Sequence, residues 1–362
     1  MSDVTLHIDG RVYLGWESVQ IVRSLEQAAG SFSLEVSEHW SGQAEAWPIR
    51  EEDACQVKID GEVVIDGQVD VIEIDLSGQS RRVAVKGSDG IATLTSCSAD
   101  LTQWTYKRAD VLVVAQRVAA PFGIAVSADP GLELPRIDKL VINPGDTAYE
   151  AIESAARTAG VLVVSDGAGG LRLTRSATTR AGDRLVEGDN IKRMRATYDA
   201  SKRYRRYKVV AQNAGTDNAS GHSARAVSAE AIDEGVRRTS RVKVLRARTK
   251  ATLHDARRRA DWAARMGAAR SQRLSVTVNR WRQRTGPLWR VNLVVPVTAP
   301  AVRVDGDLLV SLVEYSLSSS GELTRLDLVR PDAYTPEPEL ARVRGAAGTA
   351  TGWPELVHGV QR

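Results

Sequence analysis

The residues with most chemical potential are two carboxylates, Glu150 and Glu153, a glycine-rich turn, Asp166-Gly167-Ala168-Gly169, and a set of clustered arginines. A carboxylate pair can hydrolyse a glycosidic bond when held at a defined separation with one pKa raised. Three positions apart on a helix, Glu150 and Glu153 share its exposed face and read as surface charges. The glycine-rich turn could cradle a phosphate, but it lacks the G-x-G-x-x-G spacing and separates two strands instead of opening a helix. A flexible hairpin turn is the expected reading. The five histidines, at 7, 39, 222, 254 and 358, include no pair at metal-ligand spacing. Cys55 and Cys97 stand alone, and no G-x-S-x-G or H-E-x-x-H run occurs. Catalysis is not expected, and neither is a metal or other cofactor. The unpaired cysteines, the first ten residues and the lack of any apolar run near the roughly 20 residues of a membrane span point to reduced, cytosolic folding.

The arginines are the stronger signal. The net charge of the 362 residues is only +4, with 49 basic against 45 acidic side chains. Residues 1–100 nevertheless hold 7 basic against 18 acidic, and residues 180–290 hold 28 basic against 10 acidic. Such polarity bears on association more than on fold. The candidate basic surface is Arg205 and Arg206, on an aromatic-interleaved strand Arg203–Gln212, with Arg257, Arg258, Arg259 and Trp262 on a helix. Glu73 and Asp75 are its acidic counterpart. A basic segment of this size fits nucleic acid or an acidic protein surface. Because the chain carries its own acidic surface, an inter-subunit or partner face is the preferred reading.

These side chains sit on elements that the pattern predicts. Ser31–Glu38 alternates with Phe32, Leu34 and Val36 on one face; Val69–Leu76 puts Ile72, Ile74 and Leu76 on one face and Glu73 and Asp75 on the other. Asp60-Gly61 and Asp66-Gly67 are read as turns between short strands. Asp110 caps a helix ended by Pro121 and Gly123, and Thr147-Ala148-Tyr149-Glu150 is a capping box opening a helix that stops at Gly160. A hairpin over 161–175 follows. Strands return from Met194, residues 213–236 read as an exposed excursion, and a helix from Thr252 to about Ala268 precedes four more strands, including Trp289–Val297.

An internal repeat is visible in this order. Phe32–Glu38 matches Leu274–Arg280, Cys55–Ile59 matches Trp289–Leu293, and Val71–Asp89 matches Leu312–Asp332 with a two-residue insertion. The expected fold is α+β but mainly β: two similar β-barrel-like domains, 1–92 and 181–332, separated by an α/β insert over 93–180. An extended arm follows over 333–362.

Residues Gly30–Leu34, Asp89 to Ala99, and the run Trp262 to Pro331, with Gly286-Pro287-Leu288-Trp289 and Asp307-Leu308-Leu309, resemble the Mu-type phage baseplate hub family, related to the T-even hub and the late control protein D group. That resemblance implies a non-enzymatic homotrimeric ring in the tail baseplate of a virion, assembled in the bacterial cytoplasm. It adapts a sixfold tail tube, or tube-initiating protein, to a threefold central spike, with neighbouring baseplate proteins around it and DNA passing through its channel. Two alternatives stay open. The basic region can bind nucleic acid, and Val141–Val161 resembles a LysM-like segment, which implies peptidoglycan binding.

Overall fold

The computed structural model describes residues 2–39, 48–77, 80–176, 179–211, 227–246 and 252–337. Gly78 and Gln79, most of the excursion and most of the residues of the expected C-terminal arm lie outside these residues. The described chain forms two compact units, one from residues up to 204 together with 264–337, the other from 205–263.

The first unit begins with seven strands: β1 (Val4–Ile8), β2 (Arg11–Tyr13), β3 (Ser18–Ser24), β4 (Ser31–His39), β5 (Ala54–Ile59), β6 (Glu62–Leu76) and β7 (Ser80–Asp89). Asp60 and Gly61 turn β5 into β6 with φ of 49° and 81°, the left-handed geometry of a two-residue hairpin. Asp66-Gly67 is not a turn. It lies inside β6, where a Cβ on Gly67 would stand 2.1 Å from the Ser88 carbonyl oxygen of β7. Glycine is required there by a close strand approach, which carries the same sequence signal as a turn.

The insert follows as α1 (Ala92–Ser96), β8 (Thr105–Asp110), α2 (Val111–Ala119), β9 (Val126–Ala128), β10 (Arg136–Val141), α3 (Ala148–Ala159), β11 (Leu162–Ser165) and β12 (Leu171–Thr174). Asp110 accepts from the Leu112 amide, and Thr147 and Glu150 close a reciprocal capping box ahead of α3, which ends at left-handed Gly160. Val111, Val114, Ala115 and Val118 of α2 and Ala151, Ile152 and Ala155 of α3 supply much of a separate core.

After β13 (Thr179–Arg180), β14 (Leu185–Val186) and β15 (Ile191–Tyr198), the second unit contributes β16 (Arg206–Ala211), β17 (Val227–Ile232) and β18 (Val242–Arg246). Residues 227–232, expected within the excursion, are instead a strand paired with β16 along its whole length. Their small Ser and Ala residues give a weak strand signal, while Ala229 and Ala231 are buried in place. Helix α4 (Leu253–Ala269) opens on Thr252, whose hydroxyl accepts from the Asp255 amide at 3.1 Å. The chain then returns to the first unit through β19 (Gln272–Asn279), β20 (Leu293–Ala299), β21 (Val304–Ser318) and β22 (Gly321–Val329).

The strand order of β3-β4-β7-β6-β5 recurs as β15-β19-β22-β21-β20, with every neighbouring pair antiparallel. Both long strands, β6 and β21, carry an irregularity one residue long, after Val69 and Val310. The match of Phe32 to Leu274 holds, since Leu34 and Val276 face Val85 and Leu326. Val71 to Gly87 matches Leu312 to Leu328 with no insertion, because both hairpins have the same length. The match of Cys55–Ile59 to Trp289–Leu293 is corrected: Ala54–Val57 is equivalent to Val294–Val297, as their partners on β6 and β21 show. Trp289 precedes β20 and is a core side chain, not a strand residue.

The two arrays do not stand apart. Leu312–Leu317 of β21 pairs with Val19–Ser24 of β3, so among the described residues one sheet of fourteen strands carries both. A single hydrophobic cluster joins Val19, Ile21, Leu34 and Val85 to Val276, Val313, Tyr315 and Leu326. Trp281, fully buried, donates its Nε1–H to the carbonyls of Ser316 at 3.1 Å and Leu323 at 3.0 Å, and meets Tyr315 edge-on with centroids 6.0 Å apart.

Candidate interface site

The two halves of the basic surface have different surroundings. On β16, Tyr207 and Val209 point into the second unit's core while Arg206 and Lys208 face outward. Arg206 and Lys208 both reach Glu230 of β17, at 3.8 and 3.6 Å, and Arg205 meets Glu234 at 2.7 Å and the Asp233 carbonyl at 3.2 Å. The Tyr207 ring is therefore unavailable to stack on a base, and the neighbouring arginines are shared with carboxylates of the same unit. On α4, Ala256, Ala260 and Ala263 form the buried stripe. Arg257 and Arg258 are exposed, Trp262 is half-buried, and Arg259 donates to the Arg246 carbonyl at 3.1 Å.

On the acidic side, Glu73 bonds Lys86 at 2.6 Å across the β6–β7 hairpin and Asp75 lies exposed opposite Arg82. Ile74 and Leu76, on the apolar face of this strand, are 52% and 55% exposed. Beyond Val69, β6 has outrun β5 and its only neighbour among the described residues is β7. Alternation alone cannot register that loss of cover.

Part of the acid–base complement closes within the chain, through residues that segment-level charge counts do not single out. Arg282 reaches Asp60 at 3.0 Å and Glu62 at 3.5 Å, and Arg290 also bonds Glu62. Arg180 makes a two-point contact with Asp307 at 2.7 and 2.9 Å, and Arg273 meets Glu26 at 3.2 Å. Exposed pairs of this kind contribute roughly 0–1 kcal/mol each, so they tune the fold more than they hold it. Next to Arg273 a groove of about 350 Å³ is lined by Arg195, Arg325, Ser275 and Asp327 of the outer sheet face.

One polar cluster is buried. Asp89 accepts from the Gly30 amide at 2.9 Å, the Ser165 hydroxyl at 2.8 Å and the Ile91 amide at 3.2 Å; Arg23 donates to the Ser165 carbonyl at 2.9 Å. Burial raises the Asp89 pKa, opposed by those hydrogen bonds and by Arg23, and burial lowers the Arg23 pKa. The cluster ties the insert's hairpin to β3 and β7. Here the glycine-rich turn finds its reason: a Cβ on Gly167, at φ 82°, would meet the Arg23 guanidinium at 2.3 Å. Asp166 also accepts from the Ala168 and Gly170 amides at 2.7 and 2.9 Å, closing the turn on itself.

Glu150 and Glu153 both have structural partners. Glu150 accepts from the Thr147 amide at 2.8 Å, and Glu153 pairs with Arg157 at 2.9 Å. Ahead of the α3 cap, Asp146 closes a turn by accepting from the Asn143 amide at 2.9 Å. Among the described residues no group of three or more His, Cys, Asp or Glu side chains can hold a metal ion, and no helix is long and apolar enough to cross a membrane.

Three family models match the chain in order: the N-terminal part of the Mu phage baseplate assembly protein GpP-like family over residues 3–89, the second domain of the baseplate hub protein gp44-like family over 91–175, and the fourth domain of Mu phage baseplate assembly protein GpP over 252–337. The baseplate hub protein gp44 of Escherichia phage Mu is 31% identical over 369 residues, covering 96% of this chain and 93% of that protein. A 43 kDa tail protein of prophage MuSo2 from Shewanella oneidensis has a similar structure, with a TM-score of 0.82 at 30% identity over 93% of this chain and all of its own. A tail protein from Neisseria meningitidis MC58 gives 0.78 at 24% identity, over 93% of this chain and 98% of its own.

Proposed function

Since the chain belongs to the Mu-type phage baseplate hub family, and is thus a structural component of a phage tail baseplate and not an enzyme, we propose that it works there as a homotrimeric ring. The observation that carries this is the repeated strand order, which gives each chain two similar arrays. Three chains then offer six similar faces to a sixfold tube or tube-initiating protein, and only threefold symmetry to a central spike. Residues 1–92 and 181–332 are the two halves of that repeat, and the insert over 93–180 lies between them in the sequence. Neighbouring baseplate proteins bind outside the ring, DNA passes through without sequence readout, and assembly takes place in the host cytoplasm.

The charge division supports head-to-tail association, because like segments repel in an isologous pair and heterologous contacts close into rings. Electron-microscope class averages of the purified chain, alone and with its spike, test this. Rings with a central opening and near-sixfold outline are expected; compact particles without an opening in both samples overturn it.

A further inference from the structure

The insert's charges balance by count, eight basic against eight acidic over residues 101–179, but the fold separates them. We propose that the outward face of its two-stranded sheet, β8 with β10, is a docking surface for an acidic, strand-like segment of a neighbouring baseplate protein. The proposal rests on the reading above, in which such proteins surround the ring, and names where one of them attaches and through what chemistry.

The carboxylates of the insert are used locally. Asp110 caps α2 and Glu150 caps α3, while Asp146 and Asp166 close turns on backbone amides. Glu153 pairs with Arg157, and Asp129 accepts from the Thr174 hydroxyl. The cations gather instead. Four of the eight, Lys107, Arg108, Arg136 and Lys139, lie on β8 and β10 and all are exposed. The insert's ion pairs among the described residues, Arg157–Glu153 and Arg172–Asp129, include none of the four.

Backbone geometry sharpens the cluster. Ile137 pairs with Ala109 and Lys139 with Lys107, but between them no pair forms at Arg108, whose φ of 49° is left-handed. A residue other than glycine enters that region at a cost, and such strain gathers where a site needs it. Here it breaks the alternation of both strands. Tyr106, Ile137 and Leu140 stay buried, while Lys107 and Arg108 are exposed in succession, as are Asp138 and Lys139. Regular alternation would have turned one member of each couple inward. Lys107 and Lys139 also stand directly opposite each other, a like-charge pair that destabilises a ribbon left to itself. Strain and repulsion at one spot, with neither lysine in an ion pair, suit a surface that another molecule completes.

The same face selects a protein over other anions. Val141, at its end, is apolar and 51% exposed. Asp110 and Asp138 stand exposed among the cations, an arrangement that a uniform phosphate chain meets unfavourably and a protein can match residue by residue. The ribbon's one aromatic side chain, Tyr106, is buried, so it offers no ring to a base. The inner face packs into the insert's own core through Tyr106, Ile137 and Leu140. An extended segment with acidic side chains toward the four cations and an apolar one against Val141 fits the outer face.

Binding of the full chain at low salt to three fluorescent probes tests this: a peptide of alternating glutamate and valine, a short DNA duplex, and vesicles of phosphatidylcholine with phosphatidylglycerol. The peptide should bind best. Lys139→Glu turns the like-charge pair into an opposite one, and Arg108→Gly relieves the left-handed φ. Each should raise the urea midpoint yet weaken the peptide by roughly fivefold or more. Arg257→Glu with Arg258→Glu, on the exposed face of α4, should leave peptide binding unchanged. Equal weakening in that control would show attraction to net charge, and would overturn the site. Absence of peptide binding, or tighter binding of DNA or vesicles that the same two variants abolish, would overturn the proposed occupant. Particle mass on the same samples reads the ring separately. A monomer that binds the peptide through Lys139 would sink the ring and leave the docking surface standing; a trimer indifferent to the peptide would do the reverse.

Discussion

Gln20 donates its side-chain amide to Glu314 at 2.9 Å across the β3–β21 junction, the seam that makes one sheet of two arrays. Glu314 is only 14% exposed and also holds Arg325 at 3.0 Å. Replacing Glu314 with Ala removes the acceptor of Gln20 and leaves Arg325 only its 3.7 Å contact with Asp327, a loss of about 1.5–3 kcal/mol for hydrogen bonds to a charged group. Urea denaturation of Glu314→Ala should show that drop. An unchanged midpoint would mean the seam depends on Ile21, Val313 and Tyr315 alone.

Asp89 gives a pH-dependent signature. Its folded pKa is raised, chiefly by burial, so the folded protein holds that proton more tightly than the unfolded chain does. The associated stability is complete below the unfolded value of about 3.9 and is lost as pH rises through the folded value. Stability measured from pH 4 upward should therefore fall more in the parent than in Asp89→Asn. Parallel curves would show that the carboxyl does not titrate in this window.

Gly167→Ala places a methyl against Arg23 at a left-handed φ. We expect a loss of about 1–3 kcal/mol, from strain and from displacing the buried guanidinium. Limited proteolysis should show faster cutting in the hairpin over 162–174. Gly10→Ala, where nothing lies within 4 Å of the added carbon, provides the comparison for backbone strain without the clash.

Thiol chemistry should separate the two cysteines. Cys55 is buried, and desolvation with nearby Asp66 and Asp70 pushes its thiol up to about 12. Because the thiolate is the reactive form, Cys55 should resist alkylation at pH 8 while exposed Cys97 reacts. Mass spectrometry should find one adduct per native chain and two after denaturation. Rapid labelling of Cys55 in the native chain would contradict its burial in the core.

Local signals in the sequence carried much of this fold. The Thr147–Glu150 box, the Asp110 cap and the hairpin over 161–175 depend on neighbours in sequence, and each is found where the residues place it. The repeat was legible for β4, β6 and β7, whose patterns are long. It slipped by several residues at β5 and β20, where Trp289 resembles a strand residue but packs as a core plug. What local pattern cannot show is which strand edge stays open. Ile74 and Leu76 alternate like core residues, and only the path of β5 reveals that they lack cover. Nor does charge composition distinguish Arg206, shared with Glu230 across a strand pair, from Arg195, whose strand has β19 as its one neighbour among the described residues.

Mass in solution tests the trimeric ring most directly. Measured across concentration and salt, with and without the central spike, the chain of 39.3 kDa should appear at three copies per particle. High salt should loosen it, because exposed charges are screened within roughly 10 Å at 0.1 M. A single copy under every condition, including with the spike bound, would contradict the account.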